Sequence, residues 1–329
     1  MSRRPLPFCR SCNKLGHHRA KSEERKKNLP GQGMILHGIM KYEGMIIRPP
    51  SEARSLLLQV TVGCSHNKCT FCPTYKGEKF RIKTFAEIEE DILEASRYRS
   101  VEKIFLCDGD ALIIPQARLV EILGAIGRHI EGVKRIGCYA NAKSILRKTP
   151  QELIHLKELG LKIVYLGVET GNEELLKTIH KGATCAQMVE AGRRIRNAGI
   201  QLSVTVLLGI GGIEKSVAHA FDTAKILTEI DPDYVGALTV MIVPGTPLHG
   251  DYVSGRFVLP DTFGFLRELE IMIAHADFTN CFFTSNHASN YLPIRARMPE
   301  EKERTLRMIR HVIQSGDNSR LRPECMRGL

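Results

Sequence analysis

The sequence contains no apolar run approaching the roughly 20 residues that a membrane-spanning helix needs. Its longest strand-like run occupies residues 56–62. The N-terminus is basic but lacks the apolar stretch of a secretory signal, so the cytoplasm is the expected compartment and no membrane contact is expected. No solenoid-type repeat recurs along the 329 residues. Charge is not in excess through the body of the chain either: residues 31–294 hold 29 basic and 29 acidic side chains. The net charge of +11 comes from residues 1–30, at +7, and residues 295–329, at +4. Any electrostatic attraction for nucleic acid is therefore expected at the two ends.

What is present is ordinary in bulk. With 43% hydrophobic and 25% charged residues, the chain can build one large α/β domain or two smaller ones. Strand-like runs at 56–62, 103–107, 134–140, 162–167, 201–208 and 234–241 are rich in Val, Ile and Leu with little polar alternation, as strands covered on both faces are. Helix-like segments separate them. Phe85, Ile88, Ile92 and Leu93 share one helical face, and Leu119, Ile122, Leu123 and Ile126 share another. Thr84 with Glu87 forms a capping box, and Thr149, Pro150 and Glu152 supply a second helix start that Gly160 closes.

Six β–α units joined by short turns predict a parallel sheet with right-handed crossovers, either a partial (β/α)6 TIM-type barrel or an open doubly wound sheet. This core is expected at 49–260, between a basic N-terminal extension (1–48) and an α-rich C-terminal extension (261–329) that closes the barrel mouth. The latter is predicted to hold a helix at 262–275, a short apolar strand at 281–284 and a charged helix carrying Leu306, Ile309, Val312 and Ile313 on one face.

Ten cysteines in a chain expected in a reducing compartment seldom pair as disulfides. Cys107, Cys138, Cys185, Cys281 and Cys325 are scattered singly, and most of them read as small buried hydrophobes. Two groups remain. Cys9 and Cys12 with His17 match three ligands of a zinc knuckle, but Ser22 stands where the fourth belongs. Residues 1–33 are accordingly expected to be dispensable for catalysis. The second group is Cys64, Cys69 and Cys72, directly after the first strand and so at the C-terminal end of a parallel sheet, where such folds place their chemistry. Three thiolates can ligate three irons of a cubane and leave the fourth open for chemistry, whereas a structural cluster normally uses four. A zinc site completed by His66 is the alternative on the residues alone.

This arrangement resembles the radical S-adenosylmethionine superfamily, whose usual fingerprint has three residues and then two between its cysteines; here there are four and then two. The likeness runs over residues 55–245. Phe71 stands at the aromatic position before the last cysteine, which the family packs near adenine. Asp108-Gly109-Asp110 looks like the segment whose backbone receives the methionine amino group. The stretches around Glu169 and Lys181 are similar to the oxygen-independent coproporphyrinogen oxidases and tRNA methylthiotransferases, which carry a polar and a basic residue near the cofactor there. Asn141 stands in a family position that is usually more acidic. Gly209 lies in what resembles their glycine turn after the fifth strand.

The resemblance implies a [4Fe–4S] cluster on Cys64, Cys69 and Cys72, with S-adenosyl-L-methionine chelating its open iron and reduced to methionine and a 5′-deoxyadenosyl radical. It implies cofactor contacts from Phe71, Asp108, Gly109, Asp110, Asn141, Glu169, Lys181 and Gly209, and a ferredoxin or flavodoxin-type electron donor. No second cluster motif follows the barrel, and residues 1–48 are too short for a cobalamin-binding half. A small molecule or tetrapyrrole is the expected substrate. Radical modification of tRNA or another RNA is the second reading, and a non-catalytic, zinc-stabilised nucleic-acid-binding protein the third. Residues 284–291 are expected over the open side of the mouth, where His287 and Asn290 would act on the substrate.

Overall fold

The computed structural model describes residues 40–98 and 100–328, within a unit that spans His37–Leu329. Cys9, Cys12, His17 and the rest of the candidate zinc knuckle lie outside the described residues. In chain order the elements are β1 (Leu56–Gln59), β2 (Thr61–Val62), β3 (Arg81–Ile82), α1 (Phe85–Ala95), β4 (Lys103–Cys107), α2 (Gln116–His129), β5 (Arg135–Ala140), α3 (Ala142–Leu146) and α4 (Pro150–Glu158). There follow β6 (Leu161–Glu169), α5 (Glu173–Thr178), α6 (Cys185–Asn197), β7 (Gln201–Leu208), α7 (Gly212–Ile230), β8 (Tyr234–Thr239), α8 (Pro247–Val253), α9 (Thr262–His275), β9 (Cys281–Thr284), β10 (Arg295–Met298) and α10 (Lys302–Ser315).

The main sheet has eight strands in the order β1-β4-β5-β6-β7-β8-β9-β10. It is parallel from β1 to β9, and only β10 runs antiparallel. The helix starts follow from local chemistry. Thr84 and Thr149 each form a capping box with a glutamate three residues on, and Thr184 forms one with Gln187. Along each strand alternate side chains separate: Ile104 and Leu106 join the large core under the helices, while Phe105 and Cys107 face the other way.

That second face is the inside of a curved sheet. The rings of Phe105 and Tyr165 stand 5.7 Å apart although β5 lies between their strands. Flat strands two places apart are separated by about 9–10 Å, so the sheet must bend concavely to bring these rings together. Tyr139 on β5 completes the cluster, at 5.0 Å from Phe105 and 6.0 Å from Tyr165. The result is an α/β partial TIM-type barrel. Its floor is a buried polar plug: Glu52, fully buried, pairs with Arg135 at 2.6 Å and accepts from Ser55 and the Tyr165 hydroxyl, each at 2.5 Å.

Two sequence expectations change and one holds. The run 56–62 is two strands, because at Val60 the chain leaves the main sheet and Thr61–Val62 pairs antiparallel with Arg81–Ile82. The piece at 281–284 does add a seventh parallel strand, beside β8. The C-terminal segment is less a lid than a continuation of the layers: α9 packs along α7, α10 along α9, and β10 extends the sheet. Its part at the mouth end of the strands is the turn between β9 and β10. No helix among the described residues is long and apolar enough to cross a membrane.

Candidate active site

The loop from Gly63 to Phe80 has almost no secondary structure, so its backbone must be held by neighbours. It is held from every side of the mouth. Ser65 Oγ donates to Asp110 at 2.6 Å, Thr70 N donates to Ile179 O at 3.0 Å, and Leu248 N donates to Thr70 O at 3.1 Å. His66 Nε2 meets His180 O at 2.6 Å, and Asn67 Nδ2 donates to Tyr75 O at 2.7 Å. Cys64, Cys69 and Cys72 are carried on this frame as free, partly exposed thiols. Phe71, between the last two, packs onto Ile179, Leu207, Ile210, Val240 and Leu248.

After β4, Asp108 and Asp110 are both fully buried. Asp108 accepts from Gln59 Nε2 at 2.8 Å, and burial pushes its carboxyl up to about 6. Asp110 accepts from Ser144 Oγ at 2.5 Å and Asn141 Nδ2 at 2.6 Å, and burial raises it too. Both carboxylates are buried and occupied by protein donors, and Asp108 N and Gly109 N donate to Thr61 Oγ1 and Gly63 O at 3.1 and 3.3 Å. Gly109 touches the cysteine loop directly: a Cβ there would lie 3.0 Å from both Cys64 Cβ and Tyr75 Cε2. Asn141 also donates to Ser65 Oγ at 3.0 Å and accepts from Ser144 N at 2.9 Å as the cap of α3. Its amide is committed to holding the cysteine loop.

At the end of β6, Glu169 has a left-handed backbone (φ 66°) where the β6–β7 register shifts. It is ion-paired with Lys181 at 2.8 Å, both side chains largely buried. Gly167 makes room, since a Cβ there would sit 2.3 Å from Glu169 Oε1. Burial opposes the charge on Lys181, but Glu169 and then the Cys69 thiol outweigh it and hold the ammonium above its ordinary pKa. Burial pushes the Cys69 thiol up to about 11, with Lys181 working the other way. Lys181 thus supplies the positive charge beside Cys69 that favours the thiolate a metal requires.

Two residues that sequence reading missed brace the turn after β7. Glu268 on α9, fully buried, accepts from Gly209 N and Ser216 Oγ, each at 2.6 Å. His219 on α7, also fully buried, brings Nε2 to 3.9 Å from Glu268. Glu268 stands three residues after Phe265 and four before Met272, on the buried face of α9, and an acid at such a position is the signal that could have revealed it. Gly209 is required there (φ 79°), because a Cβ would lie 2.2 Å from the Phe265 ring.

Burial raises Glu268 from 4.5 to about 7 and lowers His219 from 6.5 to about 4. The folded state therefore keeps a proton on Glu268 that the unfolded chain releases, and this stabilisation is complete below pH 4.5 and lost as pH rises through about 7. His219 acts oppositely: its stabilisation is present above pH 6.5 and lost as pH falls through about 4. Each contribution is on the order of 3 kcal/mol, and the two offset each other in the shared window. Urea unfolding at a series of pH values should show Glu268→Gln gaining stability relative to wild type as pH rises from 4.5 to 7. A difference independent of pH would contradict this titration.

The turn containing His287 and Asn290 lies at the mouth end of β8 and β9, and the Asn290 amide is already engaged. Asn290 is buried; it accepts from Thr239 Oγ1 and donates to Ala237 O, each at 2.8 Å, closing the backbone of β8. His287 Nδ1 meets Ser289 Oγ at 3.0 Å, and Arg322 donates to His287 O at 2.7 Å. Asn290 is thus committed to the end of β8, while His287 is tied through Nδ1 and its carbonyl to its own turn and to Arg322.

The Radical SAM superfamily model matches residues 58–224, just over half the chain and all the elements described around the mouth up to α7. The chain belongs to the radical SAM superfamily. It is an enzyme of that class, using a [4Fe–4S] cluster and S-adenosylmethionine. It is 26% identical over 243 residues to a biotin synthase from Alkalilimnicola ehrlichii, covering 72% of this chain and 69% of that protein. It is 27% identical over 201 residues to a tRNA-2-methylthio-N(6)-dimethylallyladenosine synthase from Dehalococcoides mccartyi, covering 59% of this chain but only 47% of that one. Among solved structures, a radical S-adenosylmethionine methyltransferase from Kitasatospora setae, with cobalamin and a [4Fe–4S] cluster bound, superposes with a TM-score of 0.50 at 18% identity, over 61% of this chain and 39% of that one. That likeness is one of fold.

The donors fit a cluster better than a single ion. Four ligands about 2.3 Å from one zinc must crowd around a point, and among the described residues no three His, Cys, Asp or Glu side chains converge that closely. A cubane sets its cysteines on separate irons, so its sulfurs stand further apart. Three partly exposed thiols on one loop, with Cys107 after β4 fully buried, match that pattern.

Proposed function

We propose that Cys64, Cys69 and Cys72 hold the cluster and that this enzyme acts on a small molecule bound inside the barrel. When bound, the cluster would supply the electron for reductive cleavage of S-adenosylmethionine, releasing methionine and starting radical chemistry on the substrate. The backbone of 108–110 receives the cofactor's methionine end, Phe71 and the Gly209 turn flank its adenine, and Glu169 accepts from its ammonium or ribose hydroxyls. Asn141 and Lys181 act one step back, the first fixing the loop and the second setting the charge at Cys69. The observation that carries the substrate reading is the concave face itself. Phe105, Tyr139 and Tyr165 line it, and the Glu52–Arg135 plug closes its far end. A concave sheet face with an aromatic lining suits a compact, partly apolar molecule.

Glu169→Ala should weaken S-adenosylmethionine binding at least about tenfold, the loss of one charge-assisted contact, with iron content unchanged. Calorimetry showing unchanged affinity would assign Glu169 a structural role only. The second reading, modification of RNA, is favoured by the likeness to a tRNA-modifying enzyme and the +7 charge on residues 1–30. RNA that copurifies and is released by salt would support it over the first.

A further inference from the structure

Outside the barrel, a cleft of about 450 Å³ lies between the cysteine loop, the start of α3 and the 173–187 segment. His66 and Lys68 come from the loop itself, between Cys64 and Cys69; Lys143 comes from α3, Lys177 from α5, and His180 follows α5. The nearby acids are already engaged. Glu173 accepts from Cys185 N at 2.8 Å, and Glu174 is paired with Lys215 at 2.6 Å. Lys68, Lys143 and Lys177 are left exposed, with no carboxylate in ion-pairing reach among the described residues. Three like charges held around one concavity repel each other, a cost that an anionic partner relieves.

The cleft is separate from the inner face of the barrel. The His66 ring lies so close to the 180–182 backbone that a Cβ on Gly182 would sit 2.3 Å from it. No residue of the inner barrel face lines the cleft. A ligand here is therefore off that face yet against the loop that carries the three cysteines. Its rings are the His66 and His180 imidazoles, the first held against His180 O, so it offers no Phe or Tyr platform for stacking bases.

We infer that this lysine-rimmed cleft is the docking surface for an acidic one-electron donor protein, an inference that rests on the cluster ligation proposed above. Docked there, the partner is oxidised by one electron, which passes to the cluster. Small, charge-steered interfaces of under about 1,200 Å² suit such brief encounters.

The test uses the reconstituted holoenzyme and an acidic flavodoxin as probe, with affinity measured by titration at several salt concentrations. Lys143→Glu with Lys177→Glu should weaken binding about tenfold or more at low salt, and wild-type affinity should fall as salt rises. An equal charge change far from the cleft, Arg304→Glu with Arg307→Glu on α10, should cost less than about threefold. Equal losses for the two double variants, or none for either, would overturn the assignment. So would a cleft variant that keeps flavodoxin but loses a single-stranded RNA oligomer. Titanium(III)-driven formation of 5′-deoxyadenosine is measured in parallel and should survive in the cleft variant. Its absence from wild type would count against the cluster reading, while the binding comparison still decides the docking surface.

Discussion

Replacing any one of Cys64, Cys69 or Cys72 with alanine is expected to remove the cluster's iron and visible absorption after anaerobic reconstitution and to abolish 5′-deoxyadenosine formation. The reason is stoichiometric: in the proposed ligation each cysteine serves a separate iron, and Cys107, at the end of β4, is fully buried. Cys185→Ala is the control. Its thiol donates to Gly171 O at 2.9 Å beside the start of α6, so its loss should change neither iron content nor cleavage. A single alanine variant among the three that retained full iron and activity would remove that residue from the ligand set. Full activity in the triple variant would end the assignment altogether.

Breaking the Glu169–Lys181 pair should produce the largest effect on stability. Both side chains are largely buried at 2.8 Å separation, and Glu169 adopts an unfavourable left-handed backbone to reach the pair. Lys181→Met leaves a carboxylate without its counter-charge in a site of low polarity. The expected loss is about 3–5 kcal/mol, the usual cost of orphaning one member of a buried pair. Removing both charges, with Glu169→Gln added to Lys181→Met, should recover most of it, because the uncompensated charge is then gone. Urea unfolding of the apoprotein measures this without interference from cluster loss. A Lys181→Met variant within about 1 kcal/mol of wild type would show the pair to be well solvated.

The strands and helix starts were legible in the sequence because they rest on local signals. Buried parallel strands need continuous β-branched runs, and the threonine caps at 84 and 149 need only a glutamate three residues on. The cysteine loop was legible because metal ligation imposes a spacing. Features created by distant contacts were not legible. Asn141 reads as a cofactor position, yet its amide is consumed by Ser65 and Asp110, residues 76 and 31 positions away. Asn290 reads as a free polar group at the mouth, yet it closes β8 through Thr239 and Ala237. The split of 56–62 into two strands depends on Arg81–Ile82 arriving beside Thr61–Val62 after the whole cysteine loop. The cleft on the outer side of that loop gathers lysines from three segments that no periodicity connects.

Reductive cleavage of S-adenosylmethionine at a cluster held by one loop is the activity proposed for this chain. The most direct measurement is product analysis of the anaerobically reconstituted wild-type protein with S-adenosylmethionine and a chemical reductant. The account predicts 5′-deoxyadenosine and methionine in equal amounts, formed only when reductant is present and absent from the Cys64→Ala protein. Protein that carries its full complement of iron and sulfide, binds the cofactor, and still forms no 5′-deoxyadenosine under reducing conditions would contradict it.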